Sequence, residues 1–117
     1  MINTVRICEI QNEIQKVERE QEDAELCSKQ LMHKNNDICD DLEDQLKLLR
    51  SEFEDCHGDS YLTGLVEEKY SLLLRAIREC DEFTADLEKE RKDCNTKCSA
   101  DIEALEQEIQ RLEVMPI

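Results

Sequence analysis

Apolar residues in the first half of the chain recur in alternating steps of three and four residues, and this period limits the fold more than any other feature. One heptad frame collects Ile7, Ile10, Ile14, Val17, Ala24, Leu31, Ile38, Leu42 and Leu49. Its polar members are Gln21, Ser28, Asn35, Gln45 and Glu52. Such a frame is typical of a helix packed along another helix in a coiled coil. After Leu42 the apolar set shifts by one residue, which predicts a stutter that locally unwinds the supercoil.

The second half of the chain repeats this pattern. Its frame contains Val66, Tyr70, Leu73, Ile77, Cys80, Leu87, Cys94 and Cys98, and then shifts by one residue to Ile102, Leu105, Ile109 and Leu112. Aromatic residues make up only 3% of the chain and charged residues 38%, with two glycines and one proline. This composition is typical of long helices, and the regular apolar spacing argues against disorder.

The clearest interruption lies between the two halves, at residues 56–60. Gly58 is suited to the left-handed conformation that ends a helix, and Asp59 or Ser60 can cap the next helix. The sequence therefore predicts an all-α fold, a long antiparallel two-helix coiled-coil hairpin. A continuous rod that is only kinked at Gly58 is the alternative.

The predicted hairpin is a single domain with a first arm at residues 1–56, a turn at 57–60 and a second arm at 61–115. An extra break near residues 33–37 is compatible with the pattern, since four poor helix formers cluster there.

The net charge of −15 is divided almost evenly between the arms. Residues 1–56 carry 15 acidic and 7 basic side chains, and residues 57–117 carry 15 and 8. Without a basic stripe, neither direct nucleic-acid binding nor an anionic membrane surface is favoured. Like charge on both arms favours a basic or mixed-charge protein partner, and therefore a hetero-oligomer, with a homodimer as the alternative.

Seven cysteines without a recognisable secretory signal predict mainly reduced thiols and a cytoplasmic or nuclear location. Folding the chain at the turn would place Cys39 roughly opposite Cys80, and Cys27 near Cys94. A cross-arm disulfide is the alternative. The single pair Cys94-x-x-x-Cys98 has no counterpart in the first arm, so we expect no metal site.

No motif of catalysis or cofactor binding is present, and we expect neither an enzyme nor a cofactor. His33 and His57 fall in the two interruptions and lack the Glu-x-x-His spacing of di-iron bundles. The many carboxylates are expected to form solvated acidic faces.

One apolar cluster is wider than a single seam requires. Leu72, Leu73 and Leu74 point about 100° apart on a helix, so one face cannot bury all three. A broad core stripe is one interpretation. The other is a partner interface made of Tyr70, Leu72, Leu74 and Ile77.

These features predict a non-enzymatic structural or adaptor subunit that pairs with partner helices in a larger intracellular assembly. Cytoskeletal, chromosome-segregation and trafficking complexes contain subunits of this kind. The alternative is a helical-hairpin stalk or chaperone-like component of a bacterial secretion or flagellar export apparatus, although stalks of that kind tend to be basic.

Overall fold

The computed structural model describes residues 2–56 and 58–114, and nearly all of them lie in two α-helices. Helix α1 spans Ile2–Asp55 and helix α2 spans Ser60–Val114. No strand occurs in these two ranges, and the predicted all-α helical hairpin is confirmed. Neither helix contains, within its described residues, a stretch long and apolar enough to cross a membrane.

The chain forms two compact units, and each contains a segment of both helices. Unit 1 consists of Met1–Lys29 and Glu88–Ile117, and unit 2 of Gln30–Leu87. In each unit the α1 segment runs antiparallel to the α2 segment. The positions of each helix that face the other helix are called the seam below.

The turn in unit 2 has the conformation that the sequence predicts. Gly58 adopts a φ of +98°, which residues with a Cβ rarely tolerate. The Asp59 side chain then caps α2, because its Oδ1 accepts hydrogen bonds from the backbone N–H groups of Tyr61 and Leu62, both at 3.0 Å. Ser60 is the first residue of α2. His57 lies outside the described residues.

The core of unit 2 lies next to the turn. Leu46 and Leu49 of α1 are buried against Leu73 of α2. The partly buried residues Leu42, Val66, Tyr70 and Ile77 pack around these three. In unit 1, Ile10 and Cys98 are the most buried apolar residues among those described.

Helix α1 departs from the predicted frame in its middle. Leu31 and Ile38 are 39% and 53% exposed, whereas Met32 and Cys39, one residue later, face the seam. The seam of α1 therefore shifts at Val17, Gln21 and Glu25, earlier than predicted.

The earlier shift of the α1 seam lies beside the shift of the α2 seam. The predicted stutter of α2 is present at Cys94, Cys98 and Ile102. The Gln21 side chain donates a hydrogen bond of 3.2 Å to the Asn95 Oδ1, so the two stutters lie beside each other. Helices that pack along each other must unwind at the same level to keep their side chains interlocked.

The extra break considered near residues 33–37 is absent. Helix α1 continues through this segment without interruption. The poor helix formers are tolerated because Asn35 turns into the seam and finds hydrogen-bond partners there. His33 and Asp37 are exposed on the helix surface, with 3.7 Å between the His33 Nε2 and the Asp37 Oδ2.

Gly58→Ala is expected to destabilise the hairpin by about 1–2 kcal/mol, because an L-residue is strained at this positive φ. Gly64→Ala is the matched control. Gly64 lies inside α2 with open space around its missing Cβ, so alanine there should stabilise by about 0.5–1 kcal/mol. Urea unfolding followed by circular dichroism measures both changes. If Gly58→Ala stabilised the hairpin and Gly64→Ala destabilised it, the assigned turn would be wrong.

Candidate functional site: the seam and the two faces beside it

A buried amide fixes the alignment of the two helices in unit 2. Asn35 is 6% exposed, and its Nδ2 donates to the Thr84 Oγ1 at 2.8 Å and to the Cys80 carbonyl oxygen at 3.1 Å. The Thr84 hydroxyl in turn donates to the Cys80 carbonyl oxygen at 3.1 Å. A shift of either helix would leave this amide buried without partners, which costs about 1–3 kcal/mol. The contact therefore selects one register, as a single buried Asn does in coiled coils.

Unit 1 is aligned by polar contacts at the edges of its seam. Arg6 Nη2 lies 3.3 Å from Glu108 Oε1, and Arg91 Nη1 lies 2.9 Å from Glu25 Oε1. The hydrogen bond from Arg91, more than the opposing burial, lowers the pKa of Glu25 below its ordinary value. This carboxylate thus stabilises the pairing above its ordinary pKa, and the contribution is lost as the pH falls.

Two pairs of thiols lie on or beside the seam. Cys39 and Cys80 are neighbours across unit 2, which confirms their predicted placement. In unit 1, the Sγ atoms of Cys94 and Cys98 lie 4.0 Å apart on one helix, and Cys27 is exposed. Burial, followed by the neighbouring Cys80 thiol, raises the pKa of Cys39 to about 11. Burial, followed by the Cys94 thiol, also raises the pKa of Cys98.

The thiols and carboxylates do not converge on a site for a metal ion. Within residues 2–56 and 58–114, no three His, Cys, Asp or Glu side chains come close enough to share one.

Each unit has two faces beside its seam, one on either side. Arg6 and Glu108 each directly precede a seam position, and their contact shows that such positions of the two helices share one face. Positions that directly follow the seam share the opposite face. In unit 2 we call the face of the positions that precede the seam the apolar face, and the face of the positions that follow the seam the polar face.

The polar face of unit 2 carries a groove near the turn, with a volume of about 630 Å³. Its floor is apolar and its rim contains charges of both signs. It is lined by Leu49, Arg50, Phe53, Glu54, Val66, Glu67, Tyr70 and Ser71. Such a groove is suited to the side chains of a helix laid across it.

The apolar face of unit 2 exposes large side chains from both helices. Each of its large apolar members is between 39% and 66% exposed. They are Leu31, Ile38 and Leu48 of α1, and Leu62, Leu65, Leu72 and Phe83 of α2. The small residue Ala76 lies among them and is half-buried.

The structure separates the four residues of the predicted partner interface. Tyr70 and Ile77 are partly buried and pack against the core of unit 2. Leu72 and Leu74 remain 57% and 40% exposed, but Leu72 lies on the apolar face and Leu74 on the polar face. The cluster thus contributes both to the core and to two separate surfaces.

Sequence reasoning missed most of the apolar face, although a signal was present. Residues 62, 65, 69, 72, 76, 79 and 83 follow the same alternating steps of three and four as the seam, one residue earlier. Five of these seven positions are apolar, with Lys69 and Glu79 as the exceptions. Two adjacent heptad frames on one helix are typical of a helix with two neighbours.

Comparisons with protein-family models, curated proteins and solved structures find no match to this chain.

Asn35→Leu is expected to raise the free energy of unfolding by up to about 1 kcal/mol while weakening the choice of register. An apolar side chain of similar size removes the need for hydrogen-bond partners, so shifted pairings are no longer penalised. Spin labels at Lys34 and Ala85 should show a broader distance distribution than in the unsubstituted chain. Asn36→Leu, at the exposed neighbouring asparagine, should leave that distribution unchanged. An equally narrow distribution in both variants would exclude a register role for Asn35.

Cys39 should react slowly with iodoacetamide in the folded chain, because its pKa is raised from an ordinary value near 9.0 to about 11. At pH 8 its rate should be roughly 100-fold below that of the same thiol in the urea-unfolded chain. Site-resolved mass spectrometry measures this rate, with the exposed Cys8 as an internal control that changes little. The neutral thiol stabilises folding below about pH 9, and this contribution is lost as the pH rises toward 11. Equal rates in both states would contradict the raised pKa of Cys39.

Proposed function

We propose that this chain is a non-enzymatic coiled-coil subunit that pairs with partner helices in a larger intracellular protein assembly. Cytoskeletal, chromosome-segregation and trafficking complexes are the classes of assembly that use such subunits. The observation that supports the proposal best is the groove on the polar face of unit 2, where an apolar floor remains open to solvent.

The groove offers a neighbouring helix both apolar and charged contacts. Phe53 is 43% exposed, and Tyr70 adds a partly buried ring to the floor. Exposed aromatic surface at the centre of a patch is a frequent source of binding energy. Leu74 lies one helical turn beyond Tyr70 on the same face, so a helix crossing the groove would also cover it.

The charge of unit 2 favours a basic or mixed-charge partner. The unit carries 15 acidic and 6 basic side chains, a net charge of −9. A partner helix with Lys or Arg opposite Glu54 and Glu67, and an acidic residue opposite Arg50, would meet complementary charge along the rim of the groove, which accelerates association and orients the helix. A hetero-oligomer is therefore the form proposed for this face.

Leu74→Glu is expected to weaken partner binding by more than about 1 kcal/mol, roughly fivefold in Kd, because it introduces a charge beside the groove. Affinity purification with mass spectrometry would first identify the partner, and calorimetry on the purified pair would then give Kd. The helix content by circular dichroism should not change, since Leu74 is 40% exposed.

Ser99→Glu adds the same charge at an exposed position of α2 in unit 1 and should leave Kd nearly unchanged. Raising the salt concentration should weaken the complex, because complementary charges are screened. A partner whose affinity ignores Leu74→Glu and salt alike would refute the proposed interface.

A further inference from the structure

The apolar face of unit 2 lies on the side of the hairpin away from the groove, and the hairpin itself does not cover it. Its apolar members come from both helices and form a stripe two helices wide, which is interrupted by Asp41 and Gln45 of α1 and by Lys69 and Glu79 of α2. Monomeric proteins rarely leave a stripe of this extent open to water. The corresponding positions of unit 1 differ completely, since charged residues occupy most of them, among them Glu13, Lys16, Glu20, Asp93 and Lys97.

We infer that two copies of this chain associate through the apolar face of unit 2 and form an antiparallel four-helix bundle. This contact goes beyond the proposed function, because it uses the face opposite the groove and a second copy instead of a different protein. Either contact can exist without the other.

The area of the face matches what a stable dimer requires. From Leu62 to Phe83 the stripe spans 21 residues, which is about 32 Å of helix at 1.5 Å per residue. Two helices with axes 8–10 Å apart make it about 20 Å wide. Two copies would therefore bury roughly 1,200 Å² in total, at the lower end of specific interfaces.

The distribution of charge in unit 2 selects the antiparallel arrangement. The part of the unit away from the turn, residues 30–44 and 79–87, carries nine acidic side chains and one basic. The part near the turn, residues 45–78, carries six acidic and five basic. An antiparallel pair lays the acidic part of one copy over the nearly neutral part of the other, whereas a parallel pair stacks acidic on acidic.

Individual residues of the face are self-complementary in this arrangement. The Asn35–Thr84 contact places Ala76 level with Glu43, near the middle of the stripe. A two-fold axis at that level runs each helix against its own copy, so residue i meets residue j and j meets i.

With this axis, Ile38 of one copy faces Leu48 of the other. Lys34 faces Glu52, which pairs opposite charges at both ends of the stripe. Lys69 faces Phe83, an arrangement that permits a cation–π contact. The small side chain of Ala76 at the centre allows the helices to approach closely.

Analytical ultracentrifugation of the full chain tests the inference directly. A dimer should form at micromolar concentration, and it should tighten as salt is raised, because the net charge of −15 on each copy is then screened. The complex with a basic partner should instead weaken as salt is raised. The salt dependence therefore tells which of the two contacts has been disproved. A chain that stays monomeric at 100 μM and high salt would overturn the inference, whatever a partner does.

Variants locate the contact. Leu72→Glu and Phe83→Glu should each weaken the dimer at least about tenfold, since they bury an unpaired charge at the interface. Leu74→Glu is the matched control, with the same change two residues away on the polar face, and should leave the dimer intact. A dimer that resists both Leu72→Glu and Phe83→Glu would place the contact elsewhere.

If the glutamate variants unfold, exchanging the charges of Lys34 and Glu52 still tests the contact. Lys34 and Glu52 are both exposed, so reversing either charge should not disturb the hairpin. Lys34→Glu and Glu52→Lys should each weaken the dimer about threefold or more, and the double variant should restore it. Additive effects without restoration would exclude the antiparallel pairing.

Discussion

The hydrogen bonds of Asn35 fix the level at which α1 and α2 lie beside each other in unit 2. They hold α1 and α2 in one register, and the register decides which residues of the two helices lie opposite each other. A purely apolar seam would bury a similar area in several alignments. One satisfied amide removes this freedom, and it fixes which residues of the two helices lie at the same level on each outer face.

The turn and the seam of α2 could be predicted from the sequence, and the seam of α1 only in part. Gly58 and Asp59 act through local conformation, so their neighbours along the chain suffice to identify them. In α1, Leu31 and Ile38 are more apolar than Met32 and Cys39, and a search for the strongest apolar period selects them. The actual frame depends on where α2 unwinds, and that information lies more than 60 residues away.

The shift of the α1 seam also explains the α1 part of the apolar face. Leu31 and Ile38 are displaced from the seam by the stutter, and they join Leu72 and Phe83 on one side of unit 2. The pattern of α2 alone shows its own part of this face, but the α1 part joins it only after the helices are paired. Leu72 and Leu74 are separated by helix geometry, because the residue between them, Leu73, occupies the seam and its two neighbours lie on opposite sides of it.

Two helices of like charge can pack together when their charges stay in water and the apolar contacts between them are buried. Most carboxylates of this chain are exposed, where interactions beyond about 8 Å are screened at physiological salt. Ile10 and Leu49 of the seam are almost completely buried, so their apolar surface contributes about 25 cal/mol per Å². A second layer of helices must obey the same rule. By this rule an acidic layer is favoured only against the apolar face, as we propose for a second copy, and the partner we propose for the polar face gains from positive charge opposite Glu54 and Glu67.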